Sequence, residues 1–451
     1  MRRSLLRFGA KSSNDSVSDT RLKVFPATCL VQRPHPEADM HTVSAPRAFS
    51  RNGRFCGDNG CAARYSIAVA AAARTRYGTR PQPGKHTMRR TWLGCVQQVV
   101  VLVAASLFLV SAGHAAGNDK PTGAAPTLST KDFDYYLTGD PADRNAPKPA
   151  SQMTVLMGGG LDVDQAFMDM IRKAGGTAAN KIDIVVIRAS GEDGYNDYLF
   201  EMEGVDSVET LVIRTRAGAN DPKVSGIIAG ADVLFIAGGD QWSYISAWNE
   251  TSVENTIKSE LLADNVPIGG TSAGLAVLGA IDFSAQYGTI TSAEALSNPY
   301  NKKLTLDATF LETTPKLPDT VVDAHLVSRD RMGRLVTFLA RMVKDGMAWG
   351  RARAIGVDEG TAVVIDGDVA RVRSNSGGTG AAYFLRFPQD PGTSLVVQPK
   401  TALEVSSIHV DKLTQAPGTL FHMGNWLRTG GSSYSLYVQG GVLYGPGNNP
   451  Y

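Results

Sequence analysis

Short apolar segments that alternate with helical patterns are the feature that most constrains the fold of this chain. Five such segments, MTVLM, IDIVVI, TLVI, VLFI and VPI, follow one another between residues 153 and 268. Strands without a polar face are typical of parallel sheets covered by helices on both sides. Thr251 and Glu254 have the spacing of a capping box and predict a helix start, with Val253 and Ile257 on one face. We therefore expect an α/β fold with a mostly parallel sheet.

Turn signals of another kind occur in the last part of the chain. Asp366-Gly367 lies between VVI and VARV, and Gly440-Gly441 lies between SLYV and VLY. Two-residue loops of this composition between apolar runs predict β-hairpins. We therefore expect an α/β domain over residues 151–370 and a β-rich C-terminal part, packed on that domain, over residues 371–451. This part either completes the sheet or forms a small appended β region.

An export pattern precedes the α/β domain. From Met88 the sequence MRRTWLGCVQQVVVLVAASLFLVSAGHAAGNDK combines two arginines, an apolar stretch up to Val110 and small residues ending near Ala115. This is the arrangement of a secretory signal peptide, and its apolar stretch is shorter than the roughly 20 residues that span a membrane. We expect residues 88–115 to be a signal peptide, cleaved after Ala115 or Ala116. The product is then periplasmic or extracellular, with no stable membrane anchor after cleavage.

The segments on either side of the signal peptide lack sustained periodicity. Residues 1–87 are basic and rich in Ser, Arg, Pro and Gly, a composition that predicts disorder or a segment foreign to the natural product. Since a signal peptide belongs at the N-terminus, we expect translation to start at Met88. Residues 116–150 are rich in Pro, Ala and Asp and are interpreted as a linker or a loosely laid arm. All the cysteines precede the expected cleavage site, so the mature chain should have no disulfide and no thiolate metal site: Cys29, Cys56, Cys61 and Cys95.

A single serine follows the last of the apolar strands. Gly270-Thr271-Ser272-Ala273-Gly274 has the pattern G-x-S-x-G, in which a sharp strand-to-helix turn exposes a serine. The same glycines would also suit a plain turn that needs close packing. A serine hydroxyl becomes a good nucleophile only when a base, usually a histidine oriented by a carboxylate, accepts its proton. The pattern therefore needs partners elsewhere in the chain.

Three histidines follow the expected cleavage site, and His325 has the most suitable setting. It ends a strand-like run in VVDAHLVSRDRMGRL, where Ser328 is placed to cap the following helix, and the end of a strand is a favourable position for a catalytic group. His409 alternates with apolar residues in VSSIHV, which indicates a half-exposed strand position. His422 is compatible with either role. We therefore favour His325 as the base.

Glycine-rich turns offer backbone donors for an oxyanion. The N–H of Ala273 follows the serine, and the N–H of Gly239 lies in the turn of FIAGGDQW, although that turn also suits plain packing. A third turn, residues 158–160, lacks the spacing of a nucleotide phosphate loop. We expect no cofactor and no metal.

Three arginines crowd the start of the helix after His325: Arg329, Arg331 and Arg334. Cations are unfavourable at a helix N-terminus, which indicates an anionic partner. Asp323 or Asp330 can satisfy one arginine, and a substrate carboxylate can bind another. The net charge of +2 gives no indication of nucleic-acid binding.

Four segments together resemble the cyanophycinase and dipeptidase E family of serine peptidases. They are GGDQ at 238–241, GTSAG at 270–274, D-x-H-x-x-x-R-x-R-x-x-R-L at 323–335 and IGVDEGTAVVI at 355–365. The resemblance covers about residues 153–370 in the same order, and it implies a class I glutamine amidotransferase-like α/β fold.

The resemblance also implies roles for individual residues. Ser272 corresponds to the nucleophile, His325 to the base and Glu359 to the carboxylate that orients the base. Ala324 stands where cyanophycinases typically carry glutamine. The residues that would line the substrate site are Gln241, Asp323, Arg329, Arg331 and Arg334.

The function implied by the resemblance is hydrolysis of a peptide or poly-aspartate-type polymer. Cyanophycinases cleave a poly-aspartate backbone that bears β-linked arginines, and we expect this chain to be an exported serine peptidase acting on Asp-containing, β-Asp-Arg-like substrates. An α/β-hydrolase-type esterase shares G-x-S-x-G, but its triad runs Ser, Asp or Glu, His along the chain. A non-catalytic exported binding protein on the same fold is a further alternative. A homodimer is compatible with the sequence.

Overall fold

The computed structural model describes residues 122–142, 148–312, 314–348, 351–375, 379–388 and 394–451. The expectations for residues 1–87 and for the signal peptide at 88–115 lie outside these ranges. Among the described residues, no helix is both long and apolar enough to cross a membrane.

The larger sheet contains the apolar strands that the sequence predicts. In the described part of the chain it has eleven strands, in the spatial order β1 (Leu128–Ser129), β2 (Phe133–Gly139), β5 (Val205–Ile213), β4 (Ile182–Arg188), β6 (Val233–Ile236), β7 (Ile268–Thr271), β3 (Met153–Met157), β12 (Thr361–Asp366), β13 (Val369–Ser374), β17 (Leu420–His422) and β18 (Leu427–Thr429). The five central strands from β5 to β3 run parallel, and their neighbours on both sides are antiparallel. The α/β expectation is therefore confirmed.

A second sheet packs beside a long helix. Its strands are, in spatial order, β10 (Thr320–Asp323), β11 (Arg353–Val357), β14 (Ala381–Arg386), β16 (Glu404–Thr414), β19 (Ser432–Gln439) and β20 (Val442–Tyr444), with β15 (Leu395–Val396) also paired to β16. A small ribbon joins β8 (Asp282–Phe283) to β9 (Leu306–Asp307). Both hairpins at the glycine turns form as expected.

The helices occur between strands along the chain. They are α1 (Asp164–Lys173), α2 (Asn196–Phe200), α3 (Arg216–Ala219), α4 (Pro222–Ala229), α5 (Gln241–Trp248), α6 (Ser252–Thr256), α7 (Ala273–Ala276), α8 (Ser292–Ser297) and α9 (Met332–Lys344), with a π-helical turn at Ile257–Leu261 and a 3₁₀ turn at Pro446–Asn448.

The larger sheet is buried on both faces. In β4, Val185 and Ile187 belong to one buried cluster, whereas Ile184 and Val186 belong to another. Because successive residues of a strand point to opposite faces, the two clusters cover the two sides of the sheet. A third cluster packs α9 against the second sheet.

No domain boundary appears at residue 370. Strand β13 crosses this position, and later strands extend both sheets: β17 and β18 join the first, and β14, β16, β19 and β20 join the second. The strands beyond residue 370 therefore complete the sheets, which is one of the two arrangements expected for residues 371–451, and β14 covers the edge of β11.

Within residues 116–150, which we interpreted as a linker or a loosely laid arm, the structure contains strands β1 and β2. Strand β2 pairs antiparallel with β5 along its whole length, and Phe133, Tyr135 and Tyr136 are buried. Tyr135 donates a hydrogen bond to Glu209 at 2.6 Å. The aromatic residues of FDYYL favour a strand, a signal that the flanking Pro- and Ala-rich composition obscured.

The capping box expected at Thr251 does not form. The Thr251 hydroxyl donates to the carbonyl of Trp248, and the Glu254 carboxylate accepts from the amide of Glu250. A reciprocal capping box forms instead at the start of α8, where Thr291 accepts from the amide of Glu294 at 3.2 Å. The apolar face of the predicted helix is buried as expected.

Replacing Phe133 by alanine should destabilise the protein strongly, because this side chain is only 2% exposed in the core beside β5. We expect the free energy of unfolding to fall by about 3–5 kcal/mol in chemical denaturation. The same change at Phe200, which is 36% exposed, is the matched control and should cost clearly less. Equal small losses at both positions would contradict the placement of β2 in the sheet.

Candidate active site

The serine of the G-x-S-x-G motif lies on a strained turn between β7 and α7. Ser272 has φ 53° and ψ −110°, a conformation that costs a non-glycine residue about 1–3 kcal/mol. A Cβ atom at Gly270 would overlap the backbone of Gly274, and one at Gly274 would overlap the carbonyl of Ile236. Close backbone approach therefore requires both glycines of the motif.

A continuous chain of hydrogen bonds leads from this serine to a carboxylate. The Ser272 Oγ lies 2.7 Å from Nε2 of His325. On the other side of the ring, Nδ1 lies 2.5 Å from Oε1 of Glu359. The side chain of His325 is 1% exposed and that of Glu359 is 38% exposed. The structure thus brings together the three residues that the resemblance identified.

Each partner of the serine comes from the end of a strand. His325 follows β10 with φ 51°, and its amide donates to the carbonyl of Gly158 at 2.8 Å. Glu359 lies in the short connection between β11 and β12. The positive φ turns the imidazole from the end of one sheet toward the serine at the end of the other.

The turn at residues 158–160 supports this pair, a role that the sequence reasoning missed. Gly159 has φ 86°, and a Cβ atom there would overlap the imidazole of His325. A Cβ atom at Gly160 would lie 3.0 Å from the Cβ of Glu359. Three consecutive glycines after a buried strand were the available signal, because such a run permits a close approach by side chains.

The surroundings keep the imidazole neutral. Burial and the positive charge of Arg329 lower the pKa of His325 to about 4, against the opposing effect of its hydrogen bond with Glu359. Burial acts to raise the pKa of Glu359, but hydrogen bonds from His325 and Ser328 outweigh it and leave this pKa below its usual value. A neutral imidazole beside an ionised carboxylate can accept the serine proton.

The serine opens into a cavity of about 400 Å³. Both expected oxyanion donors, Gly239 and Ala273, line it, and Ala273 begins α7, where the first amides have no acceptor within the helix. All the expected substrate-binding residues line it as well: Gln241, Asp323, Arg329, Arg331 and Arg334. Ala285, Gln286, Gly288 and Thr289 also line it, which the sequence did not predict.

The arginines of the cavity differ in their surroundings. Arg334 is buried and makes a bidentate pair with Asp323, at 2.8 and 2.6 Å, over the ring of Phe283. Its remaining nitrogen donates to Thr289 at 3.0 Å. Arg334 and Asp323 therefore satisfy each other, and we interpret Arg334 as a residue that holds the cavity wall.

The positive charges of the other two arginines are less well balanced by nearby carboxylates. Arg331 donates to the carbonyl of Ala324 at 3.0 Å and lies 3.7 Å from the carboxylate of Asp323. Burial and the charge of Arg334 lower the pKa of Arg331 to about 9. Arg329 is 40% exposed, 3.8 Å from Glu359. These two cations are therefore the ones available to an anionic ligand.

One smaller expectation at this helix is wrong. Helix α9 begins at Met332 with Arg331 at the N-cap position, so Ser328 does not cap it. Of the two carboxylates expected to satisfy an arginine, Asp323 does so, and the carboxylate of Asp330 accepts a hydrogen bond from Tyr451 at 2.8 Å. The turn after His325 is longer than the sequence pattern indicates, which displaces both residues from the helix start.

The two other histidines have different partners. His409 Nε2 lies 3.1 Å from Asp411, and His422 Nε2 lies 3.4 Å from the hydroxyl of Thr429. The esterase alternative therefore loses the bases on which its chain order depends. Among the described residues, no group of three His, Cys, Asp or Glu is arranged to hold a metal ion.

Known proteins are similar to the segment of the chain that contains this site. Residues 195–373, which include the serine, the histidine and the carboxylate, match the model of peptidase family S51. Over these residues the chain is similar to the serine peptidases of that family. It is 29% identical to a cyanophycinase of Nostoc sp. over 225 residues, 49% of this chain and 70% of that relative. It is 26% identical to one of Synechococcus elongatus over 243 residues, 54% of this chain and 64% of the relative.

Two solved structures are also similar to this peptidase. A peptidase from an acI-B1 Actinobacterium has a TM-score of 0.37 and 16% identity, covering 52% of this chain and 90% of its own. A putative peptidase E protein from Listeria monocytogenes has a TM-score of 0.32 and 14% identity, covering 50% and 100%.

Replacing Arg334 by methionine should remove the bidentate partner of the buried Asp323 carboxylate, leaving it only Arg331 at 3.7 Å, and should lower the free energy of unfolding by about 3–5 kcal/mol. The matched control is the same change at Arg329, which is 40% exposed and should cost less than about 1 kcal/mol. Chemical denaturation of both variants tests this difference. Equal stabilities would contradict the assignment of Arg334 to the cavity wall.

Proposed function

We propose that this peptidase hydrolyses Asp-containing peptides through an acyl-enzyme on Ser272, with His325 as general base and Glu359 as the carboxylate that orients it. The observation that carries the proposal is the chain of short hydrogen bonds from Ser272 through His325 to Glu359, at the edge of a cavity that holds two incompletely paired arginines. A non-catalytic binding protein would have no need of a strained serine beside a neutral imidazole.

The first half of the proposed reaction forms the acyl-enzyme. The Ser272 oxygen attacks the amide carbonyl carbon while its proton passes to Nε2 of His325. The carbonyl oxygen becomes an oxyanion, to which the N–H groups of Gly239 and Ala273 donate. The carbon–nitrogen bond then breaks, and the leaving amine takes the proton from His325.

The second half restores the enzyme. A water molecule gives a proton to His325 and attacks the ester carbonyl, and the bond to Ser272 breaks as His325 returns that proton to the serine oxygen. Throughout, the hydrogen bond from Nδ1 to Glu359 keeps the ring oriented and stabilises it while it is positively charged. The products are a carboxylic acid and an amine.

We propose β-Asp-Arg-like peptides, or a polymer built from them, as the substrate class. Arg329 and Arg331 suit a carboxylate, because a guanidinium can bind both carboxylate oxygens. The relatives named cyanophycinases support this class. Ala324 has no side-chain amide at the position after Asp323. We therefore expect fewer contacts to the substrate at this position than in enzymes that carry glutamine there.

We also propose that the enzyme is exported. The signal-peptide pattern at 88–115 supports a periplasmic or extracellular destination. The first residue of the exported protein, determined by N-terminal sequencing, should be Ala116 or Gly117. A mature protein that begins before Met88 would contradict this proposal.

Replacing Ser272 by alanine should lower kcat/KM on cyanophycin and on β-Asp-Arg peptides by about 10⁴-fold or more, because no other group can form the acyl-enzyme. Release of the dipeptide or amino acid is measured by chromatography. The control is the same change at Ser246, an exposed residue of α5. Full activity of the Ser272→Ala variant would contradict the mechanism, and activity on esters alone would favour the esterase.

The pH profile tests the environment of the base. Because the pKa of His325 lies below its usual value, the imidazole stays neutral down to a lower pH than a free histidine does. We therefore expect the acid limb of the kcat/KM profile to lie below pH 6.5. Replacing Arg329 by glutamine removes a cation that disfavours the protonated ring, so the limb should move to higher pH. An acid limb unchanged by this substitution would contradict the stated cause of the shift.

A further inference from the structure

The side chain of Tyr451 contacts the segment that follows the catalytic histidine. Its hydroxyl donates to the carboxylate of Asp330 at 2.8 Å and lies 3.3 Å from the carbonyl of Leu326. The same oxygen accepts a hydrogen bond from the amide of Met332 at 3.3 Å. One hydroxyl thus joins both ends and the middle of residues 326–332, which we name the arginine segment.

The arginine segment needs external support. It begins directly after His325, whose φ is 51°, and contains Asp330, whose φ is 47°. Non-glycine residues persist in this region of conformation only when their surroundings hold them there. The segment also carries Arg329 and Arg331, the two cations available in the cavity. A small shift of its backbone would therefore move the base and the carboxylate-binding groups together.

Tyr451 is itself held by the second sheet. Its ring packs edge-on against Tyr383 of β14, with centroids 6.1 Å apart. The carbonyl of the preceding residue, Pro450, accepts a hydrogen bond from the hydroxyl of Tyr434 in β19 at 2.8 Å. Burial raises the pKa of Tyr451, so its hydroxyl remains protonated and can donate at neutral pH.

We propose that Tyr451 is a positioning residue for peptide hydrolysis, whose hydroxyl fixes the arginine segment to the second sheet and thereby aligns His325, Arg329 and Arg331. The inference rests on the proposed function and adds a residue far along the chain from the motifs that carry the resemblance. Tyr451 contacts neither Ser272 nor the cavity, so its effect passes through the segment alone.

The test is the Tyr451→Phe variant, which keeps the ring on Tyr383 and removes only the hydroxyl. The control is Tyr444→Phe in β20, which also keeps its ring and removes only the hydroxyl; that ring stacks on Tyr437, with centroids 4.8 Å apart. Amide hydrogen exchange is followed at residues 326–332, and kcat, KM and the pH profile are measured on a β-Asp-Arg peptide.

In Tyr451→Phe we expect exchange to accelerate about tenfold or more at residues 326–332 and not within α9. We expect kcat to fall about tenfold, because misalignment of a reacting group has effects of this size or larger. The charged groups around His325 are Glu359, Arg329 and Arg331. If Arg329 moves away from His325 in this variant, the pKa of His325 should rise and the acid limb should move to higher pH. A loss of stability alone would not shift the acid limb.

The outcomes separate the two proposals. If the wild-type enzyme is active and Tyr451→Phe retains its kcat, acid limb and exchange rates, the positioning role is overturned while the proposed function stands. If wild type shows no hydrolysis, the proposed function fails, and the exchange rates alone decide whether Tyr451 anchors the segment. Equal effects in Tyr444→Phe would also overturn the positioning role.

Discussion

The hydrogen bond between Ser272 and His325 joins the ends of two different sheets. Ser272 follows β7 of the larger sheet, and His325 follows β10 of the second. Glu359 lies where the chain passes from β11 in one sheet to β12 in the other. The three side chains can meet only when both sheets are complete and correctly placed. This explains why strands beyond residue 380, far from the motifs, matter to the site.

Much of the larger sheet could be predicted because its strands are apolar throughout and are separated by helical patterns. The strand β2 was missed because Phe133 and Tyr135 lie within a segment whose composition favours a loop. The capping box at Thr251 was wrong because the same side chains found nearer backbone partners at Trp248 and Glu250. Which partners these side chains bind depends on the three-dimensional positions of nearby backbone groups, and residue spacing does not specify those positions.

The catalytic residues could likewise be predicted from the sequence pattern, whereas the roles of the arginines depend on the three-dimensional structure. The order of Ser272, His325 and Glu359 along the chain carried enough information to suggest the triad, and the three side chains meet. The three arginines could not be distinguished in the sequence, since each lies near the start of one helix. Burial separates them: Arg334 pairs with Asp323, whereas Arg329 and Arg331 retain positive charge toward the cavity.

The central claim is that Ser272 is the group activated for attack. Labelling with a fluorophosphonate, followed by peptide mass spectrometry, tests this directly, because only an activated serine reacts rapidly with such reagents. We predict a single modified peptide that contains Ser272, with labelling lost in a His325→Ala variant. Modification of a different serine, or unchanged labelling of Ser272 without His325, would contradict the account.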